Sequence, residues 1–311
     1  MLSLVPTAWA KETKSVDQPT LHSDEAQPTE GNEEILPDTP SQSMEDVPAP
    51  VLQAVPEDGI IISEDTTWDT ARTLTKNLTV NDGVTLTIGA QVTVSGDVTI
   101  SGGTIKRASD YTGSLLVVTD GSSLTLANIT IDGGAIWTGD EDETLERGTV
   151  NSGLGADSAL VTVNGGTLTL NRGTVIQNNE RTVGTDDDDA WIEWTRPVVE
   201  QTVRYYAVGG GVSVVGGSLI VNDGAVVKNN TIKDSDQVND ATSDAMGGGI
   251  GLYDCASLVV NGGEISGNQA QTSGTARAMG GGIGMAAHPG SRYVTCKVRF
   301  KGGELKNNLS V

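Results

Sequence analysis

The sequence predicts an all-β protein, a right-handed parallel β-helix solenoid that starts at residue 59 and carries long loop insertions. Two observations predict it. Short runs of alternating apolar and polar residues follow one another from residue 77, and a longer unit with fixed apolar, glycine and asparagine positions recurs five times after residue 121. Alternation with a period of two is typical of half-buried strands, and repetition of one short unit is typical of solenoids. Because only 4% of the residues are aromatic, we expect a core of Leu, Ile and Val.

The first 58 residues are predicted to lie outside the repeats. Residues 1–10 end in Ala8-Trp9-Ala10, which has the small-x-small form of a signal-peptidase site. We interpret them as the remnant of a secretory signal peptide, the alternative being a frayed terminus with accidental alanines. Residues 11–58 are rich in Pro, acidic and hydroxyl residues and poor in clustered apolar ones, so a disordered acidic linker is expected. These features predict an extracellular or cell-surface protein.

The short runs between residues 77 and 103 each place two aliphatic residues on one side of a strand. Strands this short and evenly spaced predict coils of about three strands each. The inward pairs are Leu78 and Val80, Leu86 and Ile88, Val92 and Val94, and Val98 and Ile100.

The longer repeat predicts which side chains stack in columns inside the solenoid. Its anchor column consists of Leu124, Leu168, Leu219, Leu258 and Val298, and the second inward position holds Leu126, Leu170, Val221, Val260 and Phe300. A third column is predicted seven residues past the anchor, at Ile131, Val175, Val226, Ile265 and Leu305. Five aligned copies at three apolar positions favour one continuous core.

Turn residues recur with the same spacing. Gly173, Gly224, Gly263 and Gly303 come five residues after the anchor, where a tight corner favours positive φ. Asn178, Asn229, Asn268 and Asn308 come ten residues after it, and we predict that they form a hydrogen-bonded asparagine ladder. The first copy has Ile129 and Gly134 at these places, so it is either an atypical coil or the point where the coil type changes.

Insertions and glycine-rich strands separate the copies. The insertions lie around residues 138–153 and 181–206 and in the Ser/Asn/Asp-rich stretches before Met246 and Met279. Three strands begin with three glycines, GGGVSV at 209–214, GGGIGL at 247–252 and GGGIGM at 280–285, and are interpreted as a side of the coil with little room for side chains. A phosphate-binding loop is the alternative, but it requires a following helix that the sequence does not predict.

The GGG[VI]-x-[VLM] strands and the SL-x-[VL]-N-x-G-x-[VI]-x-x-N units resemble adhesin-like bacterial surface proteins with pectate-lyase-like parallel β-helix repeats. They are also similar to the repeats of polymorphic outer membrane proteins. The resemblance covers residues 60–311 and implies the fold of residues 59–311, but no particular ligand. It also implies that this domain is truncated at its C-terminus, because the sequence stops inside a repeat.

Catalytic and metal-binding interpretations find little support in the residue pattern. Lyases of this fold use calcium held by Asp with a basic residue, and related hydrolases use paired Asp with His and Arg-x-Lys. This chain offers Asp186 to Asp189, His288, and Arg299 with Lys301, but strand alternation alone explains the last spacing. The acidic runs at residues 140–143 and 186–189 could bind calcium, although neighbouring residues on one strand rarely converge. No catalytic residue, metal ligand or cofactor is assigned.

Trp191, Trp194, Tyr205 and Tyr206 are the candidate binding surface, since they concentrate scarce aromatic side chains in one insertion. Such residues suit sugar or protein contacts, and the alternative is a loop packed on its own apolar side. Cys255 and Cys296 occupy nearly the same position in adjacent repeats and could form a disulfide, or stack as two small buried residues.

The sequence therefore predicts a non-catalytic adhesin-like protein that binds a glycan or protein at a cell surface. The alternatives are a polysaccharide lyase or glycoside hydrolase of the same fold, and a structural surface spacer. A net charge of -22 argues against nucleic acid as a partner, and no run approaches the ~20 apolar residues of a membrane span.

Overall fold

A computed structural model describes residues 59–135, 157–183, 204–234, 242–272, 277–286 and 296–311. The regular structure of these residues consists of β-strands, which join into five sheets. Strands of one sheet come from successive turns of the chain, here called coils, and pair in parallel. The described chain is thus an all-β parallel β-helix, as predicted. Over the same residues, no helix has the length and apolar character that crossing a membrane demands.

The first four coils each contain three described strands. They are short because the apolar-polar alternation is interrupted every few residues by Gly, Asn or Asp. In order, these strands are β1 (Ile60–Ile62), β2 (Thr66–Trp68), β3 (Arg72–Leu74), β4 (Leu78–Val80), β5 (Thr85–Ile88), β6 (Val92–Val94), β7 (Asp97–Ser101), β8 (Thr104–Arg107), β9 (Leu116–Val118), β10 (Ser123–Ala127), β11 (Thr130–Asp132) and β12 (Val161–Asn164).

Coils 5, 6 and 7 are wider, with five strands each, and coil 8 contributes three. The strands are β13 (Thr167–Leu170), β14 (Val175–Gln177), β15 (Glu180–Val183), β16 (Arg204–Val208), β17 (Val212–Val215), β18 (Ser218–Val221), β19 (Val226–Lys228), β20 (Thr231–Asp234), β21 (Thr242–Met246), β22 (Ile250–Tyr253), β23 (Ser257–Val260), β24 (Glu264–Ser266), β25 (Gln269–Gln271), β26 (Arg277–Met279), β27 (Ile283–Met285), β28 (Lys297–Phe300), β29 (Glu304–Lys306) and β30 (Leu309–Ser310).

The five sheets are named in the order in which a wide coil meets them. Sheet A takes the first strand of every coil, from β1 to β28, and sheet B takes the second, from β2 to β29. Sheet C, from β3 to β27, closes each of the first seven coils. Sheet D contains β15, β20, β25 and β30, and sheet E contains β16, β21 and β26. Sheets D and E are inserted between sheets B and C in the wide coils.

The anchor and second columns run through sheet A. Leu124, Leu168, Leu219, Leu258 and Val298 are successive partners in one ladder, and so are Leu126, Leu170, Val221, Val260 and Phe300. Their side chains are buried in coils 4 to 7, where the next coil covers them. In coil 8, Val298 is half-buried and Phe300 is exposed.

The third column differs from the prediction by one residue in two coils. The column is Ile131, Ile176, Val227, Ile265 and Leu305, so Val175 and Val226 are not part of it. Its members are buried in coils 4 to 7, and Leu305 of coil 8 is exposed. Coils 5 and 6 have one more residue at the turn between sheets A and B than coil 7, and Thr174 and Ala225 fill that turn as buried residues. Because side chains alternate along a strand, one extra residue exchanges the inner and outer positions.

The asparagine ladder exists but shifts in the same two coils. Its members are Asn179, Asn230, Asn268 and Asn308, rather than Asn178 and Asn229 in coils 5 and 6. Asn178 and Asn229 instead have φ of 58° and 53°, which turns the chain before the ladder residue. The predicted glycines at the earlier corner, Gly173 and Gly224 among them, do have positive φ.

Candidate binding edge formed by the loop insertions

The wide coils bring their insertions to one edge of the solenoid. Residues 184–203, 235–241 and 273–276 all connect a strand of sheet D to a strand of sheet E. Since these strands pair in parallel with their counterparts in the next coil, successive insertions leave the solenoid about 4.8 Å apart. We call this the insertion edge: the ends of β15, β20 and β25 and the starts of β16, β21 and β26.

Insertion 136–156 of coil 4 belongs to the same side of the solenoid. It connects β11 of sheet B to β12 of sheet C, the interval in which the wide coils carry sheets D and E. The predicted insertion at 181–206 is shorter than expected, because β15 and β16 take up its two ends. Coils 4 to 7 therefore each carry an insertion between their strands of sheet B and sheet C.

The triple glycines allow sheets C and D to approach each other closely. A Cβ on Gly248 would clash with the Gln269 carbonyl oxygen of sheet D, and one on Gly210 would lie 2.9 Å from the Thr231 carbonyl oxygen. The third glycine meets the asparagine ladder, because a Cβ on Gly211 would lie 2.8 Å from Asn230 Nδ2. The chain continues from each triple into β17, β22 or β27 rather than into a helix. This packing explains the triple glycines without a phosphate ligand.

The ladder fastens the base of the insertion edge from coil to coil. Asn230 donates from its backbone N to Asn268 Oδ1 at 3.0 Å and from Nδ2 to the Ile176 carbonyl oxygen at 3.1 Å. Asn268 repeats the arrangement one coil later, donating to Asn308 Oδ1 from its backbone N at 3.1 Å and from Nδ2 at 3.0 Å. Asn230 and Asn268 are thus each bonded to the coils on both of their sides. Sheet D continues directly from this ladder.

A buried arginine, which the sequence analysis did not identify, closes the ladder at its first coil. Arg107 Nη2 donates to Asn179 Oδ1 at 3.1 Å, and Arg107 Nη1 donates to the Gly113 carbonyl oxygen. Burial lowers the pKa of Arg107 to about 10, although Tyr111 and Asp157 act in the opposite direction. Nε of Arg107 has no hydrogen-bond partner among the described residues. The sequence signal was available, since Arg107 follows Ile105 at an inward position of β8.

Arg181 performs a similar role beside the insertion edge. Its Nε donates to the Asp157 carbonyl oxygen at 3.0 Å, and its Nη1 donates to the Val208 carbonyl oxygen at 2.7 Å. It thereby joins the end of the coil 4 insertion to the end of β16. Neighbouring Glu180 is buried and forms an ion pair with Lys233 of the next coil. These contacts fix the points from which the loops leave.

A second, smaller apolar cluster lies under sheet E. Val208, Met246, Tyr253 and Ala286 are its buried members, and Val215 and Met279 pack against them half-buried. The cluster places sheet E against the outer side of sheet C, where Gly251 and Gly284 leave no room for side chains. Sheet E, which the chain enters after each insertion of a wide coil, is therefore held by packing as well as by hydrogen bonds.

The predicted aromatic surface is only partly within the described residues. Tyr205 and Tyr206 lie in β16, opposite Ser243 and Asp244 of β21, so the backbone positions both tyrosines at the insertion edge. Trp191 and Trp194 lie outside the described residues. The role of the four aromatic residues in binding stays a prediction.

The residues considered for catalysis and calcium binding are not brought together by the described structure. Arg299 is exposed on sheet A opposite Val259, and Lys301 follows the same strand, so alternation explains their spacing. His288 and the acidic runs 140–143 and 186–189 lie outside the described residues. Over the part of the chain that is described, no three His, Cys, Asp or Glu side chains form a metal-binding group.

The two cysteines lie at the same corner of coils 7 and 8. Cys255 precedes β23 with φ of 60°, and Cys296 precedes β28, which pairs with β23. Both are thiols in the structure. Burial raises the pKa of Cys296, and the nearby Cys255 thiol adds to the rise. A disulfide between them stays a prediction.

Comparison with known proteins does not assign a family or a function to the chain. No protein-family model, no curated protein and no solved structure matches the chain. A fold alone does not specify chemistry, so the function has to be argued from the insertion edge itself.

Proposed function

We propose that the chain is a non-catalytic, adhesin-like binding protein, secreted or displayed at a cell surface, whose insertion edge binds a glycan or a protein. The observation that carries the proposal is the convergence of four insertions on one side of successive coils. Loops held side by side on a rigid scaffold form an extended recognition surface, and binding residues are found disproportionately on such loops. Trp191 and Trp194, in the insertion at residues 184–203, suit both sugar and protein ligands.

Sequence composition agrees with binding rather than with chemistry on anionic polymers. The insertions carry the acidic runs at 140–143 and 186–189, and the whole chain has a net charge of -22. A uronate polymer or a nucleic acid would be repelled by these charges, whereas a neutral glycan or a basic protein surface would not. We therefore expect a ligand without net negative charge.

Binding at the insertion edge is tested by removing the loop that carries the two tryptophans. A variant with residues 184–203 replaced by a short Gly/Ser linker, and a second with Trp191→Ala and Trp194→Ala, would be screened against arrays of glycans and cell-surface proteins. We expect both variants to lose the ligands retained by the parent protein, because the aromatic contacts are gone. Thr67→Ala, at an exposed position of β2 in coil 1, is the control and should retain them.

Incubation of the same proteins with pectate and alginate, with and without calcium, separates binding from cleavage. Unsaturated sugar products that disappear with Arg299→Ala would contradict the proposal and indicate a lyase. Cleavage lost with His288→Ala would indicate a hydrolase instead. If the parent protein neither retained a ligand nor cleaved a polymer, the remaining interpretation would be a structural surface spacer.

A further inference from the structure

Coils 5 and 6 duplicate the residue that sheet B places in the core. The inward members of the third column in these coils are Ile176 and Val227, and each is preceded by an outward, half-buried valine, Val175 or Val226. In coil 7, the inward Ile265 instead lies between two polar residues. Because side chains alternate along a strand, a shift by one residue would exchange one apolar side chain for another in coils 5 and 6, but would bury a polar one in coil 7.

The asparagine ladder is duplicated in the same two coils. Asn179 and Asn230 are its members, and Asn178 and Asn229 directly precede them. Each of these four asparagines lies three residues after one of the apolar residues of its coil, so a shift by one residue would also fill the ladder. Coils 5 and 6 therefore satisfy both the core and the ladder in two registers.

The second register is the one that the adjoining coils use. The step from the last inward residue of sheet A to the inward residue of sheet B is six residues in coils 5 and 6, as from Leu170 to Ile176, and five residues in coils 4 and 7. In the observed register, the additional residue of coil 5 is Thr174, which is fully buried and whose hydroxyl has no hydrogen-bond partner among the described residues. A shift would move Thr174 to the half-exposed position that Thr130 occupies in coil 4, where water can satisfy the hydroxyl.

Two features make the observed register the more stable one. Asn178 and Asn229 have positive φ in it, a conformation that asparagine accepts more readily than Gln177 and Lys228, which would take their places after a shift. Asp132 also holds coil 5, because its Oδ2 accepts from Gln177 Nε2 at 2.8 Å and from Asn178 Nδ2 at 3.1 Å. We infer that β14 and β19 exchange between the observed register and a minor register shifted by one residue, populated at roughly 0.1–10%.

The two strands shift together. In sheet B, Val175 lies opposite Val226 and Ile176 lies opposite Val227. A joint shift preserves these pairs, whereas a shift of one strand alone would set an outward valine against an inward partner. Pairing changes only against coil 4 and coil 7, where Val226 takes the position opposite Ile265 that Val227 holds in the observed register.

The shift changes how sheet D is connected to the ladder. In the observed register, β15 and β20 begin at the residue after Asn179 and after Asn230. In the minor register, Asn178 and Asn229 are the ladder residues, so each connection to sheet D gains one residue and each turn between sheets A and B loses one. A ligand that bound the insertion edge more tightly with the longer connection would shift the equilibrium; this coupling rests on the proposed function, whereas the exchange itself does not.

Disulfide trapping detects the minor register directly, in a protein that carries Cys255→Ser and Cys296→Ser. Val227 is inward and opposite Ile265 in the observed register, whereas Ser266 lies on the outer face, so cysteines at 227 and 266 point to opposite faces. In the minor register, residue 227 faces outward opposite residue 266. We expect Val227→Cys with Ser266→Cys to form a disulfide slowly under mild oxidation, identified by mass spectrometry of linked peptides.

A matched pair in sheet A separates the shift from general motion of the same coils. Leu219 lies opposite Leu258, so Leu219→Cys and Val259→Cys have the same offset, with one cysteine inward and the other outward. Sheet A has no duplicated inward residue at this position, because Leu219 follows Ser218. This pair should stay reduced under the same oxidation.

A variant that blocks the shift separates it from local unfolding of sheet B. Val226 is outward and half-buried, so Val226→Lys fits the observed register, whereas the minor register would bury its charge. Added to the 227 and 266 cysteines, it should slow disulfide formation at least about tenfold. Ile220→Lys, at an outward, half-buried position of sheet A in the same coil, is the control and should leave the rate unchanged.

A variant that favours the shift tests the opposite direction. Gln177→Asn with Lys228→Asn supplies asparagine where the minor register requires positive φ, and should speed formation of the 227–266 disulfide about threefold to tenfold. Absence of that disulfide, an equal yield from the sheet A pair, or a rate that Val226→Lys leaves unchanged would overturn the inference.

Discussion

The narrow coils 1 to 3 and the wide coils 5 to 7 share sheets A, B and C but solve different packing problems. In the narrow coils, three short strands enclose a core of aliphatic side chains such as Val80, Leu86 and Val94, which are fully buried. The wide coils keep that core and add sheet D, which approaches sheet C so closely that only glycine fits between them. The added sheets require buried polar groups, and the asparagine ladder satisfies them.

The difference shows how a solenoid can acquire a loop-bearing side without losing its core. Each wide coil lengthens between sheets B and C, where sheets D and E receive the loop ends. The column in sheet A is unaffected, since Leu168, Leu219 and Leu258 remain in register across the wide coils. Under the proposed function, stability and recognition would thus depend on different sides of the same coil.

The largest effect is expected where the wide coils depend on close backbone approach. Gly248→Ala places a Cβ against the Gln269 carbonyl oxygen, in backbone that cannot move without separating sheets C and D. We expect a loss of more than about 4 kcal/mol in the free energy of unfolding, concentrated in the wide coils. Urea unfolding, with hydrogen exchange of peptides from β22 to β25, measures it.

Gly83→Ala is the matched substitution in a narrow coil. Gly83 has φ of +77° and no atom within 4 Å of its Cβ position, so the cost is backbone strain alone. We expect about 1–2 kcal/mol. If Gly248→Ala and Gly83→Ala lowered the free energy of unfolding by the same amount, the packing of sheet C on sheet D would not depend on glycine.

The next effect tests the register of the ladder. Asn230→Ala removes the side chain that accepts from Asn179 N and donates to the Ile176 carbonyl oxygen, leaving buried groups without partners. We expect a loss of about 3 kcal/mol. Asn229→Gly changes the preceding residue, whose φ of 53° glycine adopts readily, and should cost no more than a few tenths of a kcal/mol. Thermal unfolding measures the loss of stability in both variants. A larger loss in Asn229→Gly than in Asn230→Ala would contradict the observed register and support Asn229 as the ladder residue.

The smallest effect concerns pH. Hydrogen bonding from the Ser266 hydroxyl, followed by the ion pair with Lys306, lowers the pKa of Glu264. A carboxyl group with a lowered folded-state pKa adds stability above its unfolded pKa, and that stability is lost as the pH falls through the folded value. Because the pair is largely exposed, we expect less than about 1 kcal/mol, screened by salt.

Glu264→Gln should remove this contribution and flatten the stability curve between about pH 5 and pH 3. In sheet B, the residues of coils 3 and 4 that occupy the position of Glu264 are Thr104 and Thr130, which do not titrate in this pH range. Stability measured by urea unfolding at several pH values tests the difference. An unchanged slope in Glu264→Gln would show that the pair contributes nothing.

Much of the fold could be predicted because the inward residues of sheet A recur at fixed positions. Leu124 and Leu168 each begin a run of apolar, polar and apolar residues, and Leu219 occupies the same position of the repeat. The predicted members of the third column and of the asparagine ladder were wrong in coils 5 and 6, because Thr174 and Ala225 extend a turn by one residue. Alignment at constant spacing does not detect such an extension, whereas a buried Thr or Ala reveals it in the structure.

Sheets D and E could not be predicted from the same pattern. Their strands, such as β15 (Glu180–Val183) and β25 (Gln269–Gln271), consist mostly of polar residues, although Glu180, Arg181 and Gln269 are buried. The insertion edge therefore emerged only from the pairing of these strands. Arg107 was missed because its partner Asn179 lies 72 residues further along the chain, and the alternation of β8 does not indicate that contact.

Paired-cysteine crosslinking tests most directly whether successive insertions leave one edge in register. Thr182 and Lys233 are partners at the ends of β15 and β20, directly before two insertions. Thr182→Cys with Lys233→Cys, in a protein with Cys255→Ser and Cys296→Ser, places two thiols on neighbouring strands about 4.8 Å apart. We predict a disulfide between residues 182 and 233 under mild oxidation, identified by mass spectrometry of linked peptides. Absence of that bond, or equally efficient bonding of Thr182→Cys with Ile232→Cys, would contradict the stacked insertion edge.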